Sequence, residues 1–162
     1  MVTARRPGIT TFTTPTDLEV VVTRVFNAPR RLVFDAYTSC AHLPHWMLGP
    51  PGWTMPICEV DLRPGGASRF VWRRSDGSEM EIRGTYREIV PPERLVQTES
   101  WGGDWPESVD TLVLTEEDGM TTLTMTILYP SKEARDAALQ TGMKDGMSQG
   151  YDLLEEYLRT MS

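Results

Sequence analysis

The sequence predicts an α+β domain in which a curved antiparallel sheet holds one long C-terminal helix. Three observations predict it. Period-two segments separated by turn residues fill the middle of the chain, from Met55 to Tyr129. One strand and two short helical segments precede that block. An apolar stripe at steps of three and four closes the chain through Leu139, Met143, Met147, Tyr151, Leu154 and Leu158. Strands gathered together and then followed by helix belong with segregated layers rather than with a parallel, doubly wound sheet.

Each element has its own warrant. Residues 1–16 are rich in Thr, Pro and Gly without an apolar period and read as a flexible tail, leaving residues 17–162 as the domain. Leu18 to Phe26 is dense in β-branched residues and reads as a strand. Pro29 then suits a first helical turn, and Leu32, Val33, Ala36 and Tyr37 recur at helical spacing. A second short helix from Ala41 to Met47 ends at Gly49-Pro50-Pro51-Gly52. Arg63-Pro64-Gly65-Gly66 and Ser75-Asp76-Gly77 are turns. Glu79 to Arg87 alternates, with Met80, Ile82, Gly84 and Tyr86 on one face and charged residues on the other. Glu116-Glu117-Asp118-Gly119 joins two strands as a hairpin, its acidic tip read as a solvated loop. Ser131 caps the last segment, which read as one helix of roughly 30 residues would span about 45 Å. In all, about six to seven strands are expected.

Composition narrows the function. The chain has 162 residues and a net charge of −7, with mean hydropathy −0.33, as one ordinary soluble domain would. An acidic surface lacks the cationic footprint for nucleic acid or anionic membrane, and no run of about 18 apolar residues could span a bilayer. Cys40 and Cys58 are too few for a disulfide framework and read as reduced thiols of a cytoplasmic protein. Nine Met and five Trp are the unusual feature, since long flexible or planar side chains suit an irregular apolar pocket.

Several motifs recur as a set. Ala28-Pro29, Trp46-Met47-Leu48-Gly49-Pro50, Arg63-Pro64-Gly65-Gly66, Gly84-Thr85-Tyr86-Arg87-Glu88-Ile89, Pro91-Pro92-Glu93-Arg94-Leu95 and Gly142-Met143 through Gly150-Tyr151 stand in a characteristic order. Over about residues 17 to 160 the chain resembles the bacterial AHSA-type family, similar to the C-terminal domain of the activator of the ninety-kilodalton heat-shock chaperone ATPase. That family lies in the START-like superfamily of helix-grip proteins, with polyketide cyclases and the birch-pollen allergen. The resemblance implies a cavity between sheet and long helix that takes a hydrophobic small molecule. The activator's separate chaperone-binding domain would not fit into the 16 residues ahead of this domain, which argues against chaperone activation.

The residues expected to line that cavity are Trp46, Phe70, Trp72, Met80, Ile82, Tyr86, Trp101, Met125, Met143, Met147 and Tyr151. Gly142, Gly146 and Gly150 share one helical face, where they either allow close packing or leave room for a ligand. Tyr86, Glu99 and Tyr151 are the candidate polar groups, although a solvent-facing strand position is the simpler placement for Glu99. Cys40, His42, His45 and Cys58 match no metal-site spacing and lack the orienting group of a Cys–His nucleophile, so no metal is expected. No phosphate-binding loop, dinucleotide fingerprint or nucleophile elbow is present, and no cofactor is expected. Three readings follow. The first is binding of a small hydrophobic molecule. The second is a cyclase- or hydrolase-like enzyme with Tyr86 or Glu99 as acid–base group. The third is an interaction module that meets a chaperone or a second copy of the chain.

Overall fold

The computed structural model describes residues 8–161. Its sheet contains eight antiparallel strands: β1 Thr11–Thr13, β2 Glu19–Phe26, β3 Trp53–Val60, β4 Ala67–Arg74, β5 Glu79–Val90, β6 Arg94–Glu99, β7 Ser108–Glu117 and β8 Met120–Leu128. Four helices accompany it: α1 Arg30–Thr38, α2 Leu43–Trp46, α3 Lys132–Leu139 and α4 Met143–Leu158. The strand order is β1-β2-β8-β7-β6-β5-β4-β3, which places β1 and β3 at the two edges. The α+β class and the sheet that carries a C-terminal helix stand as the sequence predicts, with one strand more than expected.

Register decides what faces inward. Across the ladder Val22, Met125, Leu112 and Leu95 are successive neighbours, and a second row runs through Val20, Ile127, Asp110, Gln97 and Tyr86. Directly opposed residues share a face, so these rows line one side of the sheet. On the far strands the same face carries Ile82, Phe70 and Cys58. Against it pack Leu32, Val33 and Ala36 of α1, Trp46 of α2 and Tyr151, Leu154 and Leu158 of α4, all buried. Each such Leu or Val stabilises by about 1.5–3 kcal/mol relative to exposure.

Four expectations are corrected here. Thr11–Thr13 pair with Val21–Thr23 as an edge strand, so that part of the expected tail is structure; residues 1–7 of the tail lie outside the described residues. The long C-terminal helix is two helices. Leu139 and Met143 are four apart, which keeps the apolar stripe in phase, but Gly142 takes φ 80° and breaks the ladder between them. The acidic hairpin tip is more than a solvated loop. Asp118 and Gly119 make its tight turn with φ 55° and 74°, while the Glu116 carboxylate accepts from the Arg30 backbone N–H at 2.7 Å. Pro29 offers no side-chain cap to α1, and Glu116 supplies the negative charge that a helix N-terminus favours. Finally, Cys40 and Cys58 are joined as a disulfide. The end of α1 brings Cys40 to the inward face of edge strand β3, with Cα atoms 5.7 Å apart, within bonding reach.

An irregularity in the sheet falls at β5. Its pairing with β6 shifts register between Tyr86 and Glu88, and a Cβ at Gly84 would run into the backbone carbonyl of Thr98 on β6. Because backbone and not a flexible side chain blocks the space, Gly84→Ala should cost about 1–3 kcal/mol, read as a lower urea midpoint at unchanged slope.

Candidate functional site

Asp110 stands on β7 in phase with Leu112 and Leu114, all three buried, so alternation carries a carboxyl into the interior. Ser108 Oγ donates to its Oδ1 at 2.8 Å. One strand over, Glu99 pairs with Ser108 and therefore shares the inward face, which corrects the simpler expectation of a solvent-facing position. Glu99 is half-buried, and its carboxyl interacts electrostatically with Asp110 and with Trp101. Burial is the main cause that raises both acids above the usual carboxylate range, and for Glu99 repulsion by Asp110 adds to it. Two carboxyls that repel each other in this way titrate as a pair and hold one proton in preference to ionising together.

Three phenols sense this pair. Tyr37 and Tyr151 bring their hydroxyls to 2.6 Å, joining α1 to α4 inside the core. Burial, first of all, raises both hydroxyls above the ordinary tyrosine value, and the charges of Glu99 and Asp110 push the same way. Tyr129, just after β8, is raised by the same causes, and its hydroxyl meets the Met143 sulfur at 3.8 Å. Arg24, buried on β2, is spent elsewhere, on Asp152 at 2.8 Å and Thr10 at 2.9 Å. The acid pair therefore faces phenols rather than a cation.

Around the pair the large soft side chains fall into two groups. Trp46 and Tyr151 are buried and stacked with ring centroids 6.2 Å apart, and Tyr37 meets Trp46 at 4.9 Å. Trp72 follows Phe70 at 6.1 Å and stacks on Trp101 at 5.9 Å. Ile82 lies beside Phe70, and Met125 beside Leu112, on the same inward face. Met80 is opposite Trp72 in register, yet it and Trp101 are exposed by 42% and 44%, so they stand at a rim and not deep inside. Met143 and Met147 are half-buried. Tyr86 is deeply buried but holds to Ser68, and burial pushes its hydroxyl up to about 12; it does not join the acid pair.

The three glycines serve different ends. Gly142 is the helix break, Gly146 has open space where a side chain would go, and a Cβ on Gly150 would touch the Trp46 carbonyl at 3.8 Å. Two surface concavities lie outside the sheet–α4 interior. One of about 430 Å³ runs between Leu48–Trp53 and the α4 residues Gln149, Asp152, Leu153 and Glu156. The other, of about 220 Å³, lies over Ile57, Arg69, Val71 and Met80. No group of His, Cys, Asp and Glu among the described residues is arranged to hold a metal ion.

Asp110, Ser108, Tyr37 and Tyr129 were not among the residues expected from sequence. For Asp110 and Ser108 a signal existed, since both keep step with Leu112 and Leu114. The sign of the pH effect follows from the raised carboxyls. The folded state holds a proton that the unfolded chain releases near the ordinary carboxylate value, so this contribution is full below that value and is lost as pH rises through the folded-state value. The melting temperature should therefore gain, on rising from weakly acidic to alkaline pH, an unfavourable component that Asp110→Asn reduces; thermal scans across pH read the difference.

No curated protein matches the chain. Solved structures do. A Rhodobacter sphaeroides protein is 29% identical, with TM-score 0.88 over 95% of this chain and all of that one. A Nitrosomonas europaea protein matches at 24% identity and TM-score 0.81, over 91% of this chain and 97% of its own. An AHSA1-like protein from Aeromonas hydrophila matches at 18% and TM-score 0.69, over 85% and 93% of the two chains. The likenesses under 25% identity show the fold. None of the described helices is long and apolar enough to cross a membrane. The family profile described as activator of Hsp90 ATPase homolog 1-like protein covers residues 27–159, and the chain belongs to this AHSA1 family of START-like, helix-grip proteins, a membership that supports a ligand-binding or chaperone-related module.

Proposed function

We propose that the protein binds a small, mainly apolar molecule with one polar group, held between the sheet and α4, in the cytoplasm. The observation that carries this reading is the Glu99–Asp110 pair on the inward face of the sheet, beside the apolar side chains of Leu112, Leu114 and Met125. Bringing two like-charged carboxyls together on an inward face costs stability, and a site that uses them gives that cost a purpose. With one proton between them, the pair offers a donor and an acceptor at once, which suits a carbonyl, hydroxyl or phenol on the bound molecule. Exposed Trp101 and Met80 mark the way in, and half-buried Met143 and Met147 supply an adaptable wall. Phe70, Trp72, Ile82, Met125 and the Trp46–Tyr151 stack form the apolar remainder of the site.

The same pair supports a second reading, an acid–base catalyst acting on the bound molecule. A carboxyl raised out of its usual range can both hold and release a proton near neutral pH. Glu99 takes that role in preference to Tyr86, whose hydroxyl is held by Ser68 away from the pair. A chaperone or a second copy of the chain remains the family's other type of partner, and a pull-down against the host chaperone tests it.

Binding is checked with an apolar fluorescent probe and amide shifts. Shifts at Trp72, Trp101 and Met147 are expected, and Trp101→Ala should weaken binding by about tenfold, the loss of one aromatic contact. Unmoved amides at these positions with every probe would mean a filled core. Glu99→Gln tests the second reading: it should abolish any turnover found, and turnover that survives the substitution would exclude Glu99 as the acid–base group.

A further inference from the structure

The disulfide joins two parts of the chain that hold the proposed site shut. Between Cys40 and Cys58, 18 residues apart, lies a strap composed of α2, the Gly49–Gly52 turn and the first part of β3. The strap is seated by directed contacts. The Trp46 indole donates to the Ala36 carbonyl at 2.9 Å, and the Trp72 indole donates to the Met47 carbonyl at 2.6 Å. His42 Nδ1 meets the Tyr157 hydroxyl at 2.6 Å, and the His45 ring stacks on Tyr157 with centroids 5.1 Å apart. Through Trp46 the strap also covers the Tyr37–Tyr151 pair at the inner end of the site.

Its attachments at either end are unequal. Gly49 and Gly52 hold φ of 67° and 100° on either side of Pro50-Pro51, and β3 is an edge strand whose pairing with β4 is interrupted between Thr54 and Ile57. Backbone pairing therefore fixes the strap weakly on that side, and the covalent bond at Cys58 completes the hold. Both cysteines are half-buried, within reach of a small thiol reagent. In a compartment that keeps thiols reduced, a disulfide of this kind is regulatory more often than structural.

We propose that Cys40–Cys58 is a redox latch on the site. Oxidised, it clamps the strap over the sheet–α4 interior. A small dithiol opens it: one reductant thiolate attacks one sulfur and expels the other as a thiolate, then the reductant's second thiol displaces the first cysteine and closes its own disulfide. The protein gains two thiols, and the reductant loses two electrons and two protons. The freed strap loosens, and molecules exchange with the interior faster. This inference rests on the binding reading above for its consequence, but not for the motion itself.

Hydrogen exchange of the oxidised protein, the dithiothreitol-reduced protein and the Cys40→Ser/Cys58→Ser variant separates the two. Reduction should speed amide exchange over residues 43–57 by roughly tenfold or more while β7 and β8 keep their protection, and the variant should match the reduced form with or without dithiothreitol. The association rate of 1-anilinonaphthalene-8-sulfonate should rise by a similar factor on reduction. Equal strap exchange in oxidised and reduced protein overturns the latch. Loss of protection in every element together also overturns it, since the bond would then be a plain staple of the fold. If the probe binds neither form, the binding reading fails, and strap exchange still decides the motion.

Discussion

Burial of the sheet's inward face beneath α4 is the constraint on which the other features depend. Antiparallel pairing forces every second residue of the eight strands toward one side, and that side must be covered by helices carrying complementary apolar stripes. Val20, Val22, Leu112, Leu123 and Leu95 satisfy it on the sheet, and Tyr151, Leu154 and Leu158 satisfy it on α4. The covering helix also meets α2 at Gly150, where the Trp46 carbonyl lies within ordinary van der Waals reach of a Cβ. Gly84 and the β5 irregularity let the far strands β3 to β5 continue the same wall.

Against that requirement the Glu99–Asp110 pair is an exception, and the exception carries the functional argument. A core of this size has no need of two carboxyls, and apolar residues in their place would bury without a penalty. No cation is among the groups that act on either acid, and the buried Arg24 pairs with Asp152 instead. Burial raises both acids, and for Glu99 the charge of Asp110 adds to it. An acid pair that shares one proton is a polar anchor in an apolar site, and its neighbour Trp101 belongs to a segment that meets solvent.

Much of this was legible in the chain itself. The alternation Met80, Ile82, Gly84, Tyr86 and the stripe Tyr151, Leu154, Leu158 are local patterns, and local patterns survive translation into structure. Asp110 was missed because a polar residue inside a strand reads as outward-facing unless its phase is checked against Leu112 and Leu114. The helix break at Gly142 was hidden because a step of four residues between Leu139 and Met143 continues the periodicity on either side of it. The disulfide and the Tyr37–Tyr151 contact are of another kind. Each depends on where distant elements meet, and no spacing in one dimension contains that information.

The two edges of the sheet have a consequence for how copies of this protein can meet. An open edge normally offers a row of unpaired backbone groups to any passing strand. Here β1 offers only three residues, and β3 carries Pro56, which has no N–H to give, beside an interrupted ladder. Neither edge is a template for a continuous intermolecular sheet. Self-association, where it occurs, must run through side chains on faces and rims, and the fold is thereby guarded against growth into fibres at the ends where an eight-stranded sheet is most vulnerable.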